Sequence, residues 1–410
     1  MALNDVIFKK GNGGLGRSLG AEDYISALAI YDEKFLDNAS FIANGIATFT
    51  ATNRIVEINR LEDIEDLGIK ETNSLMKEYW YQIKEYFRLN SNGKLFVGLF
   101  NDTTKDLVPA ALTFNEIYTM QVFALGVIRQ MGIMNVKNAF ATASVELIQG
   151  VCALCEERHF PLSTVYGADF SAVVDITTIG SLKTLSTVSP NVSVVILQDG
   201  GNVGNALFVS EGNSVPAVGA TLGAISSSVV NQSIAEVGVF NLSEGGELEV
   251  VAFANGELFT DLDLPNSTDL SDLNAKGYIF GVKHIGIAGT YFNDNHTADV
   301  ITSDYYSISQ VRTIDKAIRQ LRTRILPYLN SRVKVNKAGQ LDSSTINFYT
   351  SVCNNELDKM ITAGEIVAAS VYINPAQNIL TTGKLMVTLV LLPYGIAKEI
   401  EITIGYTVSL

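Results

Sequence analysis

Residues 399–408 read Glu-Ile-Glu-Ile-Thr-Ile-Gly-Tyr-Thr-Val. The alternation is strict: Ile400, Ile402, Ile404, Tyr406 and Val408 share one face, with polar residues or glycine between them. A period of two fits an extended, half-buried strand and no helix. A strand at the end of a chain frays unless it is tied down. This run therefore expects a sheet edge, either its own chain's or a neighbour's.

The other end has a similar design. Residues 3–10 form a short strand-like run carrying Leu3, Val6, Ile7 and Phe8. Gly11, Gly13, Gly14 and Gly16 then fall within six residues, a composition that favours a flexible joint or positive φ angles. The spacing Gly11-x-Gly13-x-x-Gly16 matches a dinucleotide fingerprint, but no clear βαβ unit follows. Gly16 precedes Arg17-Ser18, which is not the Gly-Lys-Ser/Thr of a phosphate loop. A strand followed by a hinge reads as an arm able to leave its own subunit.

Between these ends the chain is ordinary globular material. Apolar spacing predicts helices over 74–87, 114–131 and 144–157, and a closely packed, small-residue helix over 215–230. Apolar runs at 95–100 and 192–197 read as buried strands, the second meeting a turn at Asp199-Gly200-Gly201. Helices alternating with such strands give an α/β body, mixed α+β overall. Residues 256–304 are turn-rich, with strand pieces near 278–282.

From residue 306 the pattern changes. Residues 306–329 predict a long helix with Arg312, Lys316, Arg319, Arg322 and Arg324 as a basic stripe. A second helix covers 343–362 and stops at Gly364. Strands are expected at 366–373 and at 385–392, the latter buried and followed by a turn at Pro393 and Gly395. In an acidic protein, a basic helix face more often meets carboxylates, within the subunit or across an interface, than phosphate. The stripe is therefore read as an interface.

Chemistry-bearing motifs are scarce. Cys152 and Cys155 form Cys-x-x-Cys with His159 nearby, but a zinc site needs a second ligand pair. A redox pair belongs at a helix start; here the cysteines fall late on an apolar helix face, as core residues. There are three histidines, His159, His284 and His296, and no Gly-x-Ser-x-Gly elbow. The loop around His296 lacks the Gly and Glu of a calcium loop and reads as a polar turn. No catalytic, cofactor-binding or metal-ligating residue is assigned, and no cofactor is expected. A net charge of −14 argues against a nucleic-acid surface and against anionic lipid. No signal peptide and no apolar run long enough for a bilayer span are seen. The cysteine count fits folding in a reducing cytoplasm.

The C-terminal third resembles the conserved C-terminal domain of contractile tail sheath proteins. The resemblance rests on an ordered pattern: the aromatic and Arg-containing entry Asp304-Tyr305-Tyr306 to Asp315, then a long helix and the extended link 332–336. A second helix ending in Ala363-Gly364, two strands and a terminal strand complete it. Residues 215–240, with Pro216, Gly219, Gly223 and Gly238, are similar to the small-residue helix of the sheath body. A single Arg312 stands where the family usually has two arginines, which marks a divergent member.

The resemblance implies a multi-domain subunit: an N-terminal arm and hinge over 1–20, an α/β body over 21–290, a C-terminal helix-helix-strand domain over 291–397, and a β-arm over 398–410. It implies self-association into hexameric discs stacked helically around an inner tail tube protein, with baseplate and terminator as further partners. Direct nucleic-acid contact and membrane insertion are not expected. Arms would cross to neighbours, with the Gly-rich segment and Pro393–Gly395 as hinges. Assembly would occur in the bacterial cytoplasm, in a phage tail or a bacterial injection system. The rival readings are a non-contractile tube, capsid or surface-layer subunit, and an α/β enzyme with an unrecognised site.

Overall fold

The computed structural model describes residues 23–101, 113–262 and 268–406. Leu3, Val6, Ile7, Phe8, Gly11, Gly13, Gly14, Gly16 and Val408 lie outside the described residues.

The body is built on a six-stranded sheet. Its strands are β1 (Ile25–Tyr31), β2 (Ile55–Ile58), β3 (Lys94–Phe100), β4 (Gln130–Ala139), β5 (Ser163–Asp169) and β6 (Val192–Val194), in the order β2-β3-β1-β4-β5-β6. Only β2 is antiparallel to its neighbour; the other pairs are parallel. A parallel sheet needs cover on both faces, which is why β1 is buried at every residue. Leu28 pairs with both Val97 and Gly132, so these three share a face. The helix Val218–Ser227 covers that face, where a Cβ on Gly132 would meet Val218 and Leu222. Gly98 points the other way, against Met120 of the helix Glu116–Phe123.

The small residues of Val218–Ser227 let it approach the helix Lys77–Leu89 closely. A Cβ on Gly219 would lie 1.9 Å from the Gln82 carbonyl oxygen, and one on Gly223 would lie 2.7 Å from that of Tyr86. The Gln82 side chain closes the contact: its Nε2 donates to the Pro216 carbonyl at 2.9 Å and its Oε1 accepts from the Gly219 amide at 2.7 Å.

Two helical and strand boundaries differ from expectation. The predicted 114–131 helix stops at Phe123 because Leu125 and Gly126 adopt φ of 55° and 74°. The apolar residues beyond feed β4 instead; a short apolar run does not by itself distinguish strand from helix. The 192–197 run splits. Val192–Val194 pairs with β5, whereas β7 (Leu197–Asp199) pairs with β8 (Val251–Phe253). Between them the Ile196 amide donates to the Ile279 carbonyl at 2.9 Å. A further antiparallel pair, β9 (Gly281–Val282) with β10 (Tyr291–Phe292), completes the body.

The C-terminal part packs the helices Ile308–Ile325 and Ser343–Thr362 around Ala317, Leu321, Cys353, Leu357 and Met360. Asp342 caps the second helix by accepting from the Ser344 amide at 3.0 Å. Gly364 follows its end with φ 72°. β11 (Ala368–Tyr372) and β12 (Thr388–Leu392) form an antiparallel pair against these helices. The strand at 385–392 is not buried as expected: β12, like β11, alternates exposed and half-buried residues, since helices cover only one face. The helix Ile308–Ile325 belongs to both parts: Ile308 joins the body core and Leu321 the C-terminal core.

Candidate assembly surface

Helical periodicity divides the basic stripe in two. Arg312, Lys316 and Arg319 recur at spacings of four and three and so face one way, toward the body. Arg312 is 4% exposed and donates from Nη1 to Ser228 Oγ at 2.7 Å and from Nη2 to the Ser228 carbonyl at 3.3 Å. Burial lowers its guanidinium to about 10. Lys316 lies 2.6 Å from Asp23 Oδ2 and also bonds Glu365. Arg319 reaches Asp23 Oδ1 at 3.0 Å. These three therefore join parts of one subunit, which corrects their reading as a surface for another. Their partners Ser228, Asp23 and Glu365, distant in sequence, carry no local signal. Arg322 and Arg324 lie off that face and are exposed; Arg324 stands 3.6 Å from Glu356.

Asp315 is buried in the same joint. Burial raises its carboxyl to about 7 against the opposing pull of Arg319.

The β11–β12 sheet has a different character. Its inner face, with Ala369, Val371, Leu389 and Leu391, packs on the helices. Register puts Ala368 opposite Leu392, Ser370 opposite Val390 and Tyr372 opposite Thr388 on the outer face. Tyr372, Val390 and Leu392 on that face are all more than half exposed. Among the described residues neither outer edge has a strand partner. Such an edge presents unpaired backbone donors and acceptors to any incoming strand.

The alternating tail does not fill that edge. Residues 393–406 form no regular structure, and Ile400, Ile402 and Ile404 are 77, 74 and 89% exposed, with Tyr406 exposed beside them. The strand expected from alternation is absent because extended backbone needs a ladder to satisfy its N–H and C=O groups. Pro393 and Gly395 lie in the exposed segment just after β12, and nothing crowds Gly395.

One residue does hold the tail. Lys398 Nζ lies 2.5 Å from Asp294 Oδ2 and 4.9 Å from the centre of the Tyr306 ring. Asp294 belongs to the segment expected as a polar turn, which is instead buried. His296 there is 3% exposed, with Nε2 3.1 Å from Asn274 Oδ1 and 3.5 Å from Asp294. Burial lowers its imidazole to about 4, so it is neutral near pH 7. Lys398 precedes the alternating run directly, a position that could have flagged it.

Cys152 and Cys155 are buried free thiols on the inner face of the helix Thr142–Glu157. Burial pushes the Cys155 thiol up to about 11 and raises that of Cys152 as well, the opposite of a reactive pair. Among the described residues no cluster of His, Cys, Asp and Glu is placed to hold a metal ion. No described helix is long and apolar enough to cross a membrane.

This fold recurs in solved structures. The helical sheath of the anti-feeding prophage, in its contracted state, matches with a TM-score of 0.62 at 14% identity over 100% of both chains. The sheath complex of the extracellular contractile injection system PVC, also contracted, matches with 0.56 at 13%, over 100% of this chain and 99% of that one. The sheath tail protein of Desulfitobacterium hafniense matches with 0.51 at 10%, over 95% and 100%. At these identities the likeness is one of fold, and that fold is the one the sequence resemblance implied. No curated protein matches by sequence. The family description DUF2586, N-terminal domain, fits residues 3–296 and DUF2586, C-terminal domain, fits residues 304–410, so the chain belongs to the DUF2586 family.

Proposed function

We propose that the chain is the structural subunit of a contractile sheath. It polymerises helically around an inner tube, and contraction of the sheath drives the tube through a target envelope. The observation that carries this reading is a fold matched over its full length by solved sheath proteins, in which, among the described residues, the β11–β12 sheet has open edges and the alternating apolar tail has no strand partner. Strand addition suits both features: backbone hydrogen bonds give affinity and alternating side chains give register. Head-to-tail contacts of this kind do not close, and they build an open helix.

In this reading residues 21–290 are the body, 291–397 the C-terminal domain, and 1–20 and 398–410 the arms. Leu3, Val6, Ile7 and Phe8 on one side, and Ile400, Ile402, Ile404, Tyr406 and Val408 on the other, are the strand-forming residues. Gly11 to Gly16 and Pro393–Gly395 are the joints that let linked strands persist while bodies rotate. Arg322 and Arg324 remain as the outward basic residues for a neighbour. The subunit's partners are its own copies, a tube protein, a baseplate and a terminator. It performs no catalysis, and it assembles in the bacterial cytoplasm into a phage tail or an injection particle.

Negative-stain electron microscopy of the concentrated protein tests this. Hollow cylinders with a helical surface are expected, alone or with a co-expressed tube protein. A protein that stays monomeric or forms small closed rings in both cases contradicts the proposal. Cylinders of one fixed diameter before and after a contraction trigger would point to a non-contractile tube.

A further inference from the structure

The sequence after β12 is able to fold back. Leu392-Pro393-Tyr394-Gly395 has proline and glycine at the positions a type I turn prefers. A type I turn followed by a left-handed glycine is the usual three-residue hairpin loop. Residues joined by so short a linker meet at millimolar effective concentration. An intrachain hairpin along the free edge of β12 would therefore compete with any strand supplied by, or to, another chain. The structure shows no such hairpin: residues 393–406 make no ladder, and Lys398 is drawn to Asp294 and Tyr306 on the body.

We infer that Lys398 is the positioning residue that commits the C-terminal tail to another subunit, by pinning its root to Asp294 and Tyr306 and by placing a charge where a hairpin on its own sheet needs an apolar side chain. This rests on the proposed sheath function. Two short hairpins are possible after β12. With a two-residue loop, Leu392 opposes Gly395, which places Lys398 opposite Leu389 on the face packed against the helices. With a three-residue loop, Leu392 opposes Ile396, which places Glu399 opposite Leu389 and turns the isoleucines outward. Either register brings a charge onto the inner face of the sheet, a known way of stopping strands from pairing wrongly. The ion pair adds a positive hold. Among the described residues, Lys398 is the cation within ion-pair distance of the buried Asp294 carboxylate, which stands beside neutral His296.

Lys398→Ile removes the anchor and makes the two-residue hairpin fully apolar on its inner face, with Ile396 and Ile400 on either side. Lys398→Arg keeps both the charge and the ring contact. Amide hydrogen exchange is measured at a dilution where each protein is monomeric, with the helix Ser343–Thr362 as an internal check on folding. The tail should exchange at an unstructured rate in the wild type and in Lys398→Arg. In Lys398→Ile, residues 396–401 should slow at least tenfold, together with the edge of β12, and assembly at high concentration should fall at least tenfold in rate. A Lys398→Ile tail that exchanges as fast as the wild type overturns the inference, whatever its assembly does. Failure of the wild type itself to assemble overturns the sheath reading instead, and the exchange comparison still decides the role of Lys398.

Discussion

The Lys316 ammonium lies 2.6 Å from the Asp23 carboxylate, a partner 293 residues away in sequence. The same ammonium meets Glu365, three residues ahead of β11, and Asp23 is two residues ahead of β1. One side chain thus ties the central strand of the body, the long helix and the open sheet of the C-terminal part.

Replacing Lys316 by methionine leaves Asp23 and Glu365 facing each other with Arg319 and Arg312 as nearby cations. Removing one member of a buried ion pair costs about 3–5 kcal/mol. With Arg319 in place, a loss near the lower end, about 3 kcal/mol, is expected. Urea denaturation reads it as a lower midpoint with an unchanged slope. A midpoint within error of the wild type would mean the joint is not held by this pair.

Asp315 gives the joint a pH dependence. Its folded carboxyl, at about 7, lies above the ordinary value near 4, so the folded state binds the proton more tightly than the unfolded state. The stability this contributes is complete below about pH 4 and is lost as pH rises through about 7. Arg319, Arg129 and Arg312 oppose the shift and Glu156 adds to it. Relative to Asp315→Asn, the wild type should lose stability between pH 5 and pH 8 in urea midpoints. Parallel profiles for the two proteins would contradict the assignment.

His296 works in the opposite sense. Its folded imidazole is lowered to about 4 by burial, so its contribution is complete above about 6.5 and is lost as pH falls through about 4. In His296→Gln the decline between pH 6.5 and pH 4 should be shallower than in the wild type. Equal slopes would show that the buried imidazole does not control acid stability.

Glycine substitutions separate close approach from ordinary helix preference. Gly219→Ala drives a methyl group into the Gln82 carbonyl at 1.9 Å and should destabilise the body by about 3 kcal/mol, the upper end for overpacking. Gly150→Ala, in the helix Thr142–Glu157 where a Cβ meets nothing within 4 Å, should stabilise by about 0.5–1 kcal/mol. Thermal melts of the two variants read both signs, and a shift of the same sign in both would refute the packing argument.

Local pattern carried much of this structure in the sequence. The helix 343–362 was legible to the residue because its apolar spacing runs up to a terminating glycine, Gly364; the Asp342 cap that starts it emerges from the structure. The helix around Gly219 was legible from its small residues. Burial of Cys152 and Cys155 followed from their shared apolar face. What local pattern could not show was partner choice. Arg312, Lys316 and Arg319 announce a charged helix face, but Ser228, Asp23 and Glu365 meet them only through the tertiary fold. The chain's change of sheet at Val195–Ile196 is invisible for the same reason, since Val192 to Leu197 is uniformly apolar and its hydrogen-bond partners are remote. The alternation at 399–408 predicts a strand, which residues 399–406 do not form, since the described residues of this subunit offer them no ladder.

The most direct measurement is a helical reconstruction of the assembled particle at a resolution that traces backbone. The expected result is residues 399–406 as a strand hydrogen-bonded to the β11–β12 sheet of a neighbouring chain, with Ile400, Ile402 and Ile404 on one face. A tail paired with its own β12, or one left in solvent within an intact particle, would contradict strand exchange as the means of assembly.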